Sequence, residues 1–184
     1  MATRPTRVRP AAMTAPFVTL LVSLSVLFVP PLRADPVATG AEGQRSARIV
    51  VEKSRHEMTL FRDGEAPRTY PVSLGRGGME PKQKEGDRRT PEGLYTIIAH
   101  NPNSRYYRSL RISYPSARDI EMARSRGFAP GGDIMIHGLP QGLGWLGPWQ
   151  HLIDWTAGCI AVTNAEIDDL WRLVPDGTPI EIRP

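Results

Sequence analysis

Cysteine is nearly missing from this sequence: its 184 residues hold one, Cys159. A lone cysteine excludes an internal disulfide, and it excludes a lipid-modified cysteine at the end of an N-terminal leader. Long apolar runs are missing too. The stretch Phe17–Val29 is broken by Pro30-Pro31, and it falls short of the roughly 20 apolar residues that a spanning helix needs. Net charge is a third absence once the start is set aside. The first 34 residues carry four arginines and no acid, so the 23 basic and 19 acidic side chains of the whole chain become 19 of each over residues 35–184. The high pI therefore belongs to the leader, and the remainder has no electrostatic pull towards nucleic acid or anionic lipid. There is no internal repeat and no low-complexity tract. Glycine and proline are plentiful, with 17 and 18 residues, which favours a loop-rich globular fold over a helical bundle.

The N-terminal parts are those of a secretory signal. Arg4, Arg7 and Arg9 make a basic start, the short apolar stretch follows, and Leu32-Arg33-Ala34 offers a cleavage site. Residues 1–34 are expected to be a signal peptide, with an uncleaved anchor as the alternative. Residues 35–46 are small and polar and read as a linker. The folded domain is expected over 47–184. An exported chain that keeps one unpaired cysteine holds a buried small residue, an intermolecular link or a reactive thiol.

Short β segments dominate the domain. Ile49–Val51, Met58–Phe61 and Arg68–Leu74 read as strands, with Asp63-Gly64 as a hairpin turn. Residues 77–89 form a charged loop, and Thr90-Pro91-Glu92-Gly93 reads as a turn. Strands are expected at Leu94–Ile98, Leu110–Tyr114, Ile134–Ile136 and Ile180–Ile182. Two helices are expected. One spans 116–127, capped by Ser116 and stopped by Gly127; the other is capped by Asn164 and has Ile167, Leu170, Trp171 and Val174 on its apolar face. Residues 138–149 hold four Gly and two Pro and read as a loop.

Cys159 stands in TAGCIAV, residues 156–162. Gly158 allows an unusual backbone angle just before the thiol, and neighbouring N–H groups are placed to stabilise an oxyanion. The competing reading, a buried inert cysteine, is about as good on this segment alone. His137 ends a predicted strand and precedes Gly138. An imidazole near a thiol favours thiolate and can return a proton to a leaving amine. Thr156 has a hydroxyl for the site or for a turn. Asp154 is a local candidate to orient the imidazole, against a simple salt-bridge role. Arg88, Arg89, Lys82 and Lys84 crowd one loop, and arginine binds carboxylates in bidentate fashion; Arg89 is the substrate-binding candidate, against a solvated loop balanced by Glu80, Glu85 and Asp87. Trp145, Trp149 and Trp155 flank the Gly-rich segment as a lid, a stacking wall or packing. His137, His151, Asp154 and Cys159 are zinc-ligand types, but their spacing matches no metalloenzyme motif. His56 and His100 carry no assignment.

IHG at 136–138 followed by TAGC at 156–159 resembles the signature of the L,D-transpeptidase catalytic domain, the YkuD-like family. YPVSLGR (70–76) and GDRRTPEGLY (86–95) resemble its strand-loop-strand segment. NPNSRYYRSLRISYP, GGDIMIHG and DWTAGCIAVTN are similar to a YafK-like subgroup. The resemblance covers about 47–184. It implies a mainly β fold, an L,D-transpeptidase-type β-sandwich with short helices and an active-site loop. Cys159 is then the nucleophile and His137 the proton donor and acceptor, with Gly138, Thr156, Gly158 and Asp154 in support; the resemblance gives the carbonyl of Gly138 or another backbone carbonyl as the group that orients His137, with Asp154 as the local alternative. Two positions depart from the family: Ala157 where many members have His, and Ala161 where many have Arg. The implied reaction is acyl transfer on peptidoglycan stem peptides at meso-diaminopimelate through a cysteine acyl-enzyme. The alternatives are an L,D-carboxypeptidase or amidase releasing D-alanine or a diaminopimelate-linked lipoprotein, and a non-catalytic wall-binding module. No cofactor, metal or nucleic-acid partner is expected. The expected location is the periplasm or another extracytoplasmic space, with membrane contact only through an uncleaved leader.

Overall fold

A computed structural model describes residues 46–184; the signal-peptide reading and nearly all of the linker reading lie outside the described residues. In chain order the elements are β1 (Ala47–Glu52), a 3-10 turn (Lys53–Arg55), β2 (Glu57–Arg62), β3 (Arg68–Pro71), β4 (Gly93–Ser104), β5 (Tyr107–Ile112), α1 (Ala117–Ser125), β6 (Met135–His137), a 3-10 segment (Gly144–Leu152), β7 (Ile160–Ala161), α2 (Asn164–Leu173) and β8 (Pro179–Arg183). The strands order as β3-β2-β1-β8-β4-β5-β6-β7. None of the described helices is long and apolar enough to cross a membrane.

The twelve-residue β4 belongs to both leaves of this sheet. Its first part, Gly93–Thr96, pairs with β8, while Ile97 onward pairs with β5 through two register shifts. Such irregularities bend a strand and increase its twist, so the sheet turns over at β4. The far edges then meet. Ser73 bridges Ala161 and Gly75 bridges Thr156. The expected third strand over 68–74 therefore ends early at Pro71. Pro71 has no N–H to continue a ladder; Val72 donates to the His56 carbonyl at 2.9 Å, and Ser73 changes partners to the Ala161 segment.

The core lies between the leaves. Ile49, Val51, Met58, Leu60, Val72 and Leu74 face Ile97, Leu110, Ile112, Ile136, Ile160 and Val162, each at 1% exposure or less. Each such side chain contributes about 1.5–3 kcal/mol of burial free energy. The helix α2 closes one side with Ile167, Leu170 and Val174 buried and Trp171 partly buried against the core, the apolar face read from the sequence.

Both helices start in capping boxes. Ser116 and Asp119 form one, as expected from Ser116. At α2 the cap is Thr163, one residue before the expected Asn164: the Glu166 carboxylate accepts from the Thr163 N–H at 2.7 Å, and the Thr163 hydroxyl accepts from the Glu166 N–H. Thr163 and Glu166 have the spacing that such a box needs. Asn164 is thereby free for another task, described below.

Candidate active site

The strands β6 and β7 run parallel, with Ile136 opposite Ile160 and His137 opposite Ala161. Extending that register by one residue sets Cys159 opposite Met135. Side chains two apart share a face of a sheet, so the imidazole of His137 and the thiol of Cys159 project to the same side. Both line one cavity of about 350 Å³, with Asn101, Asn103, Ser104, Arg105, Tyr106, Asp133 and Met135.

His137 is held on every side. Its Nδ1 lies 2.7 Å from the Gly138 carbonyl oxygen. A carbonyl only accepts, so Nδ1 carries the proton and Nε2 keeps the lone pair. Tyr106 stacks on the ring at 4.3 Å between centroids, and Trp155 meets it edge-on at 5.6 Å. The ring is 2% exposed. Burial pushes its pKa down to about 4, against a smaller upward pull from the Gly138 carbonyl, so the imidazole is neutral at pH 7. A Cβ on Gly138 would come within 2.8 Å of Asn164 Oδ1. That oxygen accepts the Leu139 N–H at 2.9 Å, and Asn164 so fixes the chain just past the histidine.

The thiol has its own partners. Cys159 Sγ donates to the Asp133 carbonyl at 3.6 Å. Burial raises its pKa, the Met135 N–H pulling the other way. Among the described residues no hydrogen bond joins His137 to Cys159, and the resting pair is a neutral thiol and a neutral imidazole in one cavity. The turn that carries the sulfur is stapled by Thr156, 3% exposed. Its hydroxyl donates to the Cys159 carbonyl at 2.8 Å and accepts the Gly158 N–H at 3.0 Å. Gly158 has φ 126°, and a Cβ there would lie 2.7 Å from the Arg89 carbonyl oxygen; only glycine meets both demands.

A match to the L,D-transpeptidase catalytic domain model, YkuD, runs over residues 46–182. The chain belongs to this L,D-transpeptidase family. Among its relatives is the Escherichia coli K12 protein YafK, which is 33% identical over 108 residues, covering 58% of this chain and 36% of YafK. Bacillus subtilis YqjB is 30% identical over 137 residues, covering 73% and 69%. The Campylobacter jejuni helical cell shape determining protein Pgp2, solved as a K307A mutant, superposes with a TM-score of 0.59 at 25% identity over 76% of this chain and 47% of that one. The chain thus spans about a third of YafK and about half of Pgp2. An L,D-transpeptidase from Mycobacterium smegmatis shares the fold at TM-score 0.51 and 19% identity, over 76% and 59%. The mainly β fold with short helices is that of the L,D-transpeptidases.

Within this L,D-transpeptidase domain, His137, Gly138, Thr156, Gly158 and Cys159 come together around the cavity or its supporting turn. Asp154 does not join them as an orienting group. Its carboxylate binds His56 Nε2 at 3.0 Å and caps the Leu74 N–H at 2.7 Å, and the Gly138 carbonyl holds His137 instead. Arg89 also points elsewhere: its Nε donates to the Gly77 carbonyl at 3.1 Å and a terminal nitrogen lies 3.3 Å from Glu80. Its neighbour Lys82 is buried against Asp87 at 2.8 Å. Lys82 and Arg89 are thus engaged within their own loop, and the arginine on the cavity wall is Arg105, which charge crowding gave no reason to select. Of the four zinc-ligand candidates only His137 and Cys159 share the cavity, and among the described residues no group of three His, Cys, Asp or Glu converges.

Residues 144–152 wind as a 3-10 segment broken at Gly147 (φ 48°, ψ −130°), where a plain loop was expected. Gln150 anchors it. The Gln150 Oε1 accepts the Trp155 indole N–H at 3.0 Å, its Nε2 donates to His151 Nδ1 at 2.7 Å, and its carbonyl accepts the Ser73 hydroxyl at 2.7 Å. Trp145 and Trp149 are 76% and 71% exposed; Trp155 alone of the three reaches the histidine.

Proposed function

We propose that the chain is a cysteine-dependent L,D-transpeptidase that acts on peptidoglycan stem peptides at meso-diaminopimelate. The reading rests on one observation above all: the single thiol, just before β7, and a tautomer-fixed imidazole, at the end of the parallel strand β6, share a cavity. Membership of the family supports it. Both groups rest neutral, so attack and proton transfer occur together. The Cys159 sulfur adds to the carbonyl at the L-centre of meso-diaminopimelate while its proton passes to His137 Nε2. The imidazolium then gives that proton to the departing amine, and a thioester remains. An incoming amine or water repeats the sequence in reverse: it loses a proton to His137, displaces the thioester, and the thiol is re-formed. The resulting imidazolium is stabilised by the Gly138 carbonyl at Nδ1, the part that a carboxylate fills in other triads.

Amine acceptors make crosslinks. Water makes a carboxypeptidase, or an amidase if the leaving amine is a lipoprotein lysine. Both outcomes use the same two side chains. Wall peptides lie outside the cytoplasm, which fits the leader read at residues 1–34 and gives a periplasmic or other extracytoplasmic location. The test is incubation with purified stem peptides followed by mass analysis of the protein and products. A thioester adduct on Cys159, with 3→3 dimers or trimmed stems that vanish in Cys159→Ser, is expected. Products that persist in Cys159→Ser would overturn the assignment.

A further inference from the structure

The cavity that holds Cys159 and His137 has one cationic side chain on its wall, Arg105, and one anionic side chain, Asp133. Arg105 is exposed, and among the described residues its guanidinium has no hydrogen-bond or ion-pair partner. That sets it apart from Arg62, Arg68, Arg89, Arg108 and Arg111, each of which lies within 4 Å of a carboxylate. Asp133 has φ 56°, a left-handed conformation uncommon outside glycine. Its carbonyl receives the thiol, and its carboxylate meets Arg111 at 2.9 Å through Oδ1 while remaining 72% exposed. Oδ2 is left as an acceptor. Asn101 and Asn103, both exposed, add amides to the same wall. The cavity therefore offers an unpaired guanidinium and a partly used carboxylate beside the reactive sulfur.

We infer that Arg105 and Asp133 together read a zwitterionic amino-acid head on the substrate, Arg105 binding its carboxylate and Asp133 its ammonium group. This rests on the stem-peptide reading above and makes it specific. A stem peptide carries several carboxylates, but one carbon alone bears both a free carboxylate and a free ammonium, the D-centre of meso-diaminopimelate. A planar guanidinium grips a carboxylate through two parallel N–H donors, so Arg105 is a specificity-determining residue and not part of the proton relay.

The experiment compares two tetrapeptide stems, one with meso-diaminopimelate and one with L-lysine in its place. Lysine keeps the ammonium and lacks the carboxylate. Wild-type protein is expected to favour the diaminopimelate peptide in kcat/KM by about 10–100-fold, the span of one charge-assisted hydrogen-bond pair. Arg105→Gln is expected to lower turnover of the diaminopimelate peptide, mainly through KM, and to bring the two peptides within about threefold. Asp133→Asn is expected to weaken both peptides alike. A preference that survives Arg105→Gln overturns the inference. So does a loss that follows amidation of the terminal D-alanine instead of the diaminopimelate carboxylate. Calorimetric binding of both peptides to Cys159→Ala separates this inference from the functional reading. If wild type turns over neither peptide, the reaction proposed above fails, while Cys159→Ala still reports whether Arg105 discriminates; equal binding of the two peptides, or none, refutes the role of Arg105.

Discussion

The Nδ1 of His137 sits 2.7 Å from the carbonyl oxygen of Gly138, the next residue in the chain. A backbone group thus sets the tautomer, with no acidic side chain involved among the described residues, and the ring is otherwise enclosed by Tyr106 and Trp155. Enclosure has a thermodynamic consequence. Burial holds the folded-state pKa at about 4, below the ordinary value near 6.5. The unfolded chain therefore binds a proton that the folded chain refuses between these values. Stability from this group is present above pH 6.5 and is lost as pH falls towards 4. About 2 kcal/mol should disappear between pH 7 and pH 5, and about 3 kcal/mol in all. Urea unfolding of wild type and His137→Gln at both pH values checks this. The wild type should lose about 2 kcal/mol more than the variant; equal losses would mean that the ring is solvated.

The thiol leads to a second expectation. Its partner at rest is the Asp133 carbonyl, and burial raises its pKa. Cys159 should therefore be alkylated by iodoacetamide more slowly than a free cysteine at pH 7.5, with a rate that climbs as pH passes above the usual thiol range near 8.5. Activation is expected only when substrate is bound and the proton can move to Nε2. A fast rate that is flat below pH 7 would instead reveal a standing thiolate–imidazolium pair, and the concerted proton transfer proposed above would be wrong.

Much of this architecture is legible in the sequence because it follows local rules. The alternation of Met58 and Leu60, the Ser116 cap and the apolar face Ile167-Leu170-Val174 each depend on near neighbours, and each appears as read. His137 and Cys159 were legible through residue type and glycine context, and the structure brings them to one cavity. What was not legible depends on long-range pairing. Nothing in TYPVSLG tells that Ser73 will leave β2 for Ala161. Nothing in the charge pattern distinguishes Arg89, bound to Glu80 within its loop, from Arg105, which has no such partner among the described residues. Asn164 looked like a cap because Asn caps helices; Thr163 with Glu166 three residues on was the stronger signal.

Thr156 should matter through the backbone it holds. Replacing it by Val keeps the shape but strands the Gly158 N–H and the Cys159 carbonyl, which the hydroxyl now satisfies at 3.0 and 2.8 Å. Each unsatisfied buried group costs about 1–3 kcal/mol. Thr156→Val should lower the unfolding free energy by about 2 kcal/mol or more and cut kcat by at least tenfold, because the sulfur is no longer fixed in place. Thr156→Ser keeps the oxygen and should stay near wild type in kcat. A Ser variant as poor as Val would shift the weight from the hydroxyl to the methyl group and its packing.

Asp154 separates support of the fold from support of the reaction. Its carboxylate ties the β1–β2 turn, through His56, to the Leu74 N–H and to the segment that leads into Trp155. None of these bonds reaches Cys159 or the His137 imidazole. Asp154→Asn retains one acceptor for Leu74 but loses the charge facing His56, a pair in which His56 is 42% and Asp154 23% exposed. Solvent screens such a pair, so the cost should be about 1 kcal/mol or less. The melting temperature should fall by a few degrees, while kcat/KM on a stem peptide stays within about threefold of wild type, since the proposed proton relay is untouched. A hundredfold fall in kcat with an unchanged melting temperature would show that Asp154 acts on the imidazole during turnover. The Gly138 carbonyl would then not be enough to stabilise the imidazolium.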